Sequence, residues 1–394
     1  MPVTEDINLL DPEFLKSVQC REAFARLRKE RPIFWHEGAS PDGGFWVVLK
    51  HADVVEVSSQ PGVYSSERGV FIYDHQTDSR GALLFTDPPE HKRLRRFVNK
   101  HFIGRGVASI EPWIRKECAS LIDRAVQAGD IDFIKNVAVD LPLNTIGEMM
   151  RLDMPTRRRM LAISDEMASA GAGGEERTFR AVQAMCELGI ELGRERRAKP
   201  DDDLLSAMVS VTDGDGDRLE DVEFGMMFMQ IAGAATDTTR GVIGDIVLRL
   251  AQNPDLFQEV KNNPQYVRGL IEEVLRMSPP VYYMRRTATC DTTLRSVPIR
   301  AGDRVVMYYL SANYDSDVFD EPERFDIHRS HNPHLTFGTG EHVCLGLNVA
   351  RLEIRVLFEE LIRQVSSIEL TGPVEQDMNT ESTRYQSMPV RVVR

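Results

Sequence analysis

The stretch that most constrains this chain is His334 to Gly346, HLTFGTGEHVCLG. One cysteine, Cys344, stands in it with three glycines, Gly338, Gly340 and Gly346, and an aromatic, Phe337. Glycine permits positive φ and close backbone approach, so the stretch reads as a tight loop. The segment after it, LNVARLEIRVLFEELI, carries Leu345, Val349, Leu352, Val356, Leu357 and Leu361 near helical spacing. Cys344 is therefore expected on a glycine-rich loop at a helix N-terminus. Free N–H groups and the positive end of the helix dipole favour a thiolate there. The plainer reading is a buried, inert cysteine at a helix start.

Composition sets the limits within which that loop must work. The chain has 394 residues, 42% of them hydrophobic and 28% charged, as in ordinary globular proteins. A formal net charge of −13 argues against nucleic acid as the main partner. The five cysteines, Cys20, Cys118, Cys186, Cys290 and Cys344, are odd in number and lack CxxC spacing. They suggest a reducing compartment rather than a disulfide framework. MPVTEDINLLDPEFLKS has charges throughout and no apolar run, so we expect no signal peptide, no membrane anchor and a cytoplasmic location.

Periodicity predicts a first helix over Asp11 to Arg31, then strands Ile33–His36 and Phe45–Leu49 joined by a turn at Pro41–Gly44, and a short helix His51–Ser59. Tyr64 to Thr86 shows no clean period; a long irregular stretch of this kind is usually functional, here a lid or specificity loop with Val70, Phe71, Ile72, Tyr73, Leu83 and Leu84. Helical patterns follow over Pro88–Lys100, Glu111–Ala128, Leu141–Met150, Pro155–Ala168 and Glu176–Lys199, with a glycine-rich gap at Ala170–Gly174. A long one runs from about Leu219 to Gln252, roughly 50 Å at 1.5 Å per residue. Pro254–Asn262 and Pro264–Met277 are shorter helices opened by proline. Tyr282 to Leu310 is strand-rich, and a β-like tail closes the chain. No repeat or linker interrupts it, so we expect one domain over 1–394, mainly α with a smaller β region.

Four constellations stand out. Asp87-Pro-Pro-Glu-His91 reads as a helix start, with Asp87 as cap, Pro88 in first position and Glu90 completing a capping box. His91 and Arg95 then share a helical face, which alone reads as an ordinary polar face. The run AATDTT, from Ala234 to Thr239, lies mid-way along the long helix and is a poor helix interior; Thr238 can return its hydroxyl to the Ala234 carbonyl. Glu273 and Arg276, three apart, look like a surface pair of little worth. Asp213-Gly-Asp-Gly-Asp217 suggests a calcium loop, but an EF-hand needs glycine at the sixth position and a carboxylate at the twelfth, where Arg218 and Phe224 stand; a turn is expected instead. No second Cys/His pair supports zinc beside His342 and Cys344.

Phe337, Gly338, Gly340, His342, Cys344 and Gly346 together resemble the haem-binding loop of the cytochrome P450 family, soluble bacterial type. The resemblance extends in order along nearly the whole chain: His91/Arg95, Asp237/Thr238, Glu273/Arg276, Arg286, Arg324, then Phe337–Gly346. It implies a fold with haem b between the long central helix and the cysteine loop. Cys344 would ligate iron, and such a thiolate favours O–O cleavage. His91, Arg95, Arg286 and His342 would bind haem propionates, with Arg285 the neighbouring candidate should the alignment slip by one; Phe337 and Gly338 would shape the cofactor loop. Asp237 and Thr238 look like the family's acid–alcohol pair, which supplies protons so that water leaves rather than peroxide. Ala235 replaces a frequent glycine, which narrows the groove over the haem. Glu273, Arg276 and Arg324 resemble the family's buried, structural Glu-Arg-Arg cluster, which braces the haem loop.

The implied activity is monooxygenation of a hydrophobic small molecule. Electrons would come from a separate ferredoxin and ferredoxin reductase, docked near Arg93, Arg96 and Lys100. MRRTAT and VVMYYLSAN look most like bacterial members acting on terpenoids, steroids and fatty acyl chains. Candidate pocket residues are Phe71, Ile72, Ala234, Ala235, Val281, Met284 and Met388; Met226, Met229 and Tyr282 are apolar neighbours, although methionine on a helix is more often core. The alternatives are a peroxide-driven haem enzyme, against which Asp237 and Thr238 argue, and a non-catalytic haem-binding ligand sensor.

Overall fold

Alternating side-chain direction along short strands organises one of the two compact units of the protein. In the computed structural model, which describes residues 7–38, 43–72, 80–168, 175–210 and 218–394, the strands are β1 Ile33–His36, β2 Phe45–Val48, β3 Tyr64–Ser65, β4 Asp130–Asp132, β5 Tyr283–Ala288, β6 Thr292–Leu294, β7 Val297–Ile299, β8 Arg304–Tyr308, β9 Ser367–Leu370, β10 Glu375–Met378, β11 Thr383–Ser387 and β12 Pro389–Val393. The chain divides into two compact units. The first comprises Met1–Gln76, Asp245–Cys344 and Glu375–Gln386. The second comprises Thr77–Gly244, Leu345–Val374 and Ser387–Arg394.

The first unit holds a five-stranded sheet in the order β1-β2-β8-β5-β3. Only β2 and β8 run parallel in it; the other pairs are antiparallel. The period of two sends Phe34, Phe45, Val47, Tyr283, Val306 and Tyr308 to one face, where Phe24 and Leu27 of the helix Val18–Glu30 pack. Ile33, Val48, Val305 and Met307 go to the other, against Val54 and Val57 of the helix His51–Ser58. The single helix expected over Asp11 to Arg31 is two, Pro12–Lys16 and Val18–Glu30. Ser17 breaks it, because its hydroxyl accepts from the Cys20 N–H and starts the second helix.

The second unit is helical. Its core gathers Leu94, Phe97, Met185, Leu188, Leu204, Met208, Phe224, Met227 and Phe228. Gly189 and Gly193 of the helix Glu175–Ala198 make room for two of these rings: a Cβ on either would stand 2.8 Å from Phe228 or Phe224. The helix Gly104–Ala128 packs on Leu347–Gln364, and β4, β12 and β9 form a small antiparallel sheet. The expected long helix is Asp221–Gln252, 32 residues or about 48 Å. Its last turns, from Asp245, belong to the first unit. The architecture is thus mainly α with a smaller β part. A helix not expected from periodicity spans Leu204–Ser210, and the helix ending at Ala128 begins at Gly104 rather than Glu111. The turn residues at 39–42, Tyr73, the Ala170–Gly174 gap and the Asp213–Asp217 segment lie outside the described residues.

The helix expected to open at Pro88 begins at Glu90, with Pro89 as N-cap and a cis peptide between Pro88 and Pro89. Asp87 offers its backbone carbonyl to the His91 N–H, not a side-chain cap. Glu90 is turned to Arg93, so the capping box does not form.

Glu273 and Arg276 are buried, as the resemblance implied and not as a surface pair: both are wholly enclosed, 2.7 Å apart. Burial pushes the Glu273 carboxyl up, but the Arg276 hydrogen bond and charge, with the Asp326 N–H, hold it below its ordinary range. The third cation is Arg329, whose Nε lies 3.3 Å from both Glu273 oxygens. Arg324 is exposed and pairs with Glu321 at 2.9 Å; only its backbone carbonyl enters the cluster, accepting from Arg276. Removing one partner of a buried pair strands the other's charge. Glu273→Gln should cost about 3–5 kcal/mol in urea unfolding and Arg329→Gln on the order of 2 kcal/mol. Arg324→Gln should stay within about 0.5 kcal/mol. An Arg324 effect matching Arg329 would reverse the assignment.

Candidate functional site

In the first unit the cysteine loop is fixed from both ends by hydrogen bonds. Asn313 accepts the Leu335 N–H at 2.7 Å and donates to the Thr336 hydroxyl at 3.0 Å; that hydroxyl donates to the Leu275 carbonyl at 2.6 Å. Gly338 and Gly340 then turn the chain with φ of 68° and 72°. A Cβ at Gly340 would stand 2.4 Å from the Ser58 carbonyl oxygen, so glycine is required twice over there. Gly340 to His342 makes one 3₁₀ turn, and the Cys344 N–H returns to the Phe337 carbonyl at 2.8 Å. Cys344 itself is exposed, unlike buried Cys20 and Cys118, whose thiols burial pushes far up. The plain reading of Cys344 as an inert core thiol is therefore excluded. Leu345 and Gly346 intervene before the first helical residue, Leu347, so the thiol precedes the helix rather than opening it.

His342 meets the buried Ser66 hydroxyl, Nε2 to Oγ 3.2 Å. Arg285 and Arg286 alternate across β5 and are both buried. Arg285 spends its guanidinium on the Arg68 and Ile72 carbonyls. Arg286 donates to the carbonyl of its own neighbour and acts on the Tyr309 phenol, which burial raises and this charge pulls back. The Tyr309 hydroxyl in turn is 3.6 Å from where a Gly338 Cβ would stand. Arg286 thus acts on a tyrosine whose hydroxyl lies beside Gly338 of the cysteine loop. Tyr309 was overlooked in the sequence because VVMYYLSAN reads as one apolar run. Val281, Met284 and Phe71 keep accessible surface, whereas Ile72 is closed into the core with its N–H on Tyr283.

In the second unit, His91 is buried and Arg95 half-buried on the helix Glu90–Val98. Arg93, expected as a docking cation, is taken by Glu90 and Glu223; Arg96 and Lys100 remain exposed. On the long helix the Thr238 hydroxyl donates to the Ala234 carbonyl at 3.0 Å, the back-bond expected there. Ala234 is exposed and Ala235 half-buried. Asp237 pairs with Arg240 at 2.7 Å. Met388 is fully buried in this unit, its N–H on Asp132 and its carbonyl accepting from Phe133, and has no surface to offer a ligand. Met226 and Met229 are core residues, the former against the Cys186 thiol.

The cytochrome P450 family profile matches residues 14–166 and 175–385. The chain belongs to the cytochrome P450 family. It is 33% identical to a steroid C26-monooxygenase of Mycolicibacterium smegmatis over 391 residues, 95% of this chain and 91% of that one. It is 33% identical to a steroid C26-monooxygenase of Rhodococcus jostii, over 93% of this chain and 81% of that one. A Mycobacterium marinum cytochrome P450 solved in complex with pseudoionone superposes with a TM-score of 0.90 and 32% identity, covering 99% of this chain and 100% of that one. This P450 is therefore a monooxygenase of a haem-dependent oxidoreductase family. Among the described residues no helix is long and apolar enough to cross a membrane.

One polar group in this P450 had no sequence signal beyond a glutamate among core leucines. Glu353, on the helix Leu347–Gln364, is 3% exposed and lies against Thr145 and Thr239. Burial pushes its carboxyl up to about 8, and the two hydroxyls offset this only in part. Its Oε2 has no aligned hydrogen-bond partner among the described residues. A carboxyl raised in the folded state contributes stability that is fully present below its unfolded pKa and lost as pH rises through about 8. The Tm of Glu353→Gln minus that of the parent should therefore grow from pH 5 to pH 8.5. A gap that stays flat with pH would show that the carboxyl is already ionised in the fold.

Proposed function

We propose that this P450 inserts one oxygen atom of O2 into a hydrophobic small molecule of terpenoid, steroid or fatty acyl type, using haem b bound through Cys344. The observation that carries the reading is the exposed thiol on a glycine-turned loop whose backbone is anchored on both sides. A soft, exposed sulfur suits a centre such as haem iron, and among the described residues no group of three His, Cys, Asp or Glu could hold an ion. When bound, haem supplies the dioxygen activation.

The protein's own residues do the rest. Arg286, His342, His91 and Arg95 are the cations proposed to hold the two haem carboxylates, arginine offering several donors in one plane. Asp237 accepts protons from solvent and passes them to Thr238, whose hydroxyl is parked on the Ala234 carbonyl between turnovers. Ala234 and Ala235 in the second unit, and Val281, Met284 and Phe71 in the first, are the apolar residues proposed to meet the substrate; each keeps accessible surface. The relatives named for steroid C26 oxidation and the neighbour solved with pseudoionone support an extended, apolar substrate class. A ferredoxin, itself reduced by a ferredoxin reductase, is the proposed electron donor.

Reduced and treated with carbon monoxide, the purified protein should show the red-shifted absorption of a thiolate-bound haem. Cys344→Ser should lose that band and the turnover together; retention of both would overturn the reading. For the donor, Arg96→Glu with Lys100→Glu should slow reduction by an acidic ferredoxin roughly tenfold at low salt, with the haem spectrum intact. Unchanged reduction kinetics would place the docking face elsewhere.

A further inference from the structure

Arg240 sits three residues beyond Asp237 on the helix Asp221–Gln252, and its side chain is only 6% exposed. A guanidinium buried to that degree needs anionic partners, because its desolvation is not otherwise repaid. It has two, on two helices of the same unit. Nη2 is 2.7 Å from Asp237 Oδ1, and Nη1 is 3.9 Å from Asp165 Oδ1 on the helix Met154–Ala168. Neither contact is the planar two-bond fork that guanidinium and carboxylate form when locked. The Nε and Nη2 hydrogens lack aligned acceptors among the described residues. The charge is therefore shared and can be re-aimed by small movements of either carboxylate. Asp165 is half-exposed and Asp237 about a quarter exposed, so both reach solvent while the cation between them does not.

We propose that Arg240 is a positioning residue for the proton-delivering acid: it divides its charge between Asp237 and Asp165, so that Asp165, from a second helix, sets how firmly the Asp237 carboxylate is held away from Thr238. This rests on the reading of Asp237 as the acid. A carboxylate must leave the cation to carry a proton. With Asp165 charged, part of the Arg240 field is spent on it and Asp237 turns more freely. With Asp165 neutral, the whole field falls on Asp237 and the proton step slows.

The test uses the full haem-loaded enzyme with its electron donor and a turned-over substrate. Three quantities are read: product rate, the H2O/D2O rate ratio, and the fraction of reductant released as hydrogen peroxide. Asp165→Asn, a surface change that leaves the buried cation paired, should lower the product rate several-fold and raise the isotope ratio. Substrate affinity and the carbon monoxide spectrum should not move. Arg240→Gln should free Asp237 and lower both the isotope ratio and the peroxide fraction; Arg240→Lys, which keeps the charge, should restore most of the parent behaviour. A purely structural role would alter melting without these opposed isotope effects. If Asp237→Asn changes rate and peroxide while Asp165→Asn leaves the isotope ratio unmoved, this inference fails and the acid reading survives. If Asp237→Asn changes neither, the acid reading falls and takes the inference with it. Should Arg240→Gln fail to fold, Asp165→Asn alone decides.

Discussion

The cysteine loop depends on a charge pair it never touches directly. Arg276 is wholly buried and makes its bonds to Glu273, to the Asn313 and Pro322 carbonyls, and to the Arg324 carbonyl, with the rings of Tyr314 and Phe319 over its plane. Buried ion pairs are weak sources of net stability, but an incomplete one is strongly penalised. The penalty is what gives specificity here. A backbone path that failed to bring those three carbonyls to Arg276 would leave a bare guanidinium in the core. Asn313, whose carbonyl is held by Arg276, uses its side chain to clamp Leu335 and Thr336 at the mouth of the loop. The order imposed by one ion pair thus passes through a single asparagine to the start of the turn that presents Cys344.

The second unit manages its polar burden differently. Its core is apolar and methionine-rich; some charged groups buried in it are well paired, as Asp203 is with Arg196, but two are incompletely matched. Arg240 has its anions but not aligned hydrogen bonds, and Glu353 has hydroxyls but no cation. In a fully satisfied network, such as the one around Arg276, side chains are held still. Unmatched buried groups cost free energy and are held loosely, which is tolerable where a proton or a side chain has to move. The contrast is physical: the first unit fixes a ligand loop, whereas the Asp237–Thr238 segment is proposed to pass protons.

Some features were legible because they are local. The loop glycines report φ and close approach, the Thr238 back-bond needs only helical spacing, and the long helix and the strands β1 and β2 follow from period alone. Where the structure differs, the cause is mostly distance along the chain. The Asp87 capping box failed locally, because Glu90 turns to Arg93. The others were settled by remote residues: Glu273 reaching Arg329, Glu223 reaching Arg93, and cores that close over Ile72 and Met388.

What the sequence determined by itself is the chemistry on offer: a lone cysteine between glycines before an amphipathic helix, and an acid–alcohol pair in mid-helix, because both are written in consecutive residues and backbone geometry. What only the tertiary structure decided is which charges are neutralised and which surfaces stay open. Arg329 rather than Arg324 completes the cluster, and Arg240 is shared between two aspartates. Coulomb and desolvation energies depend on distance and burial in space, and neither is a function of spacing along the chain.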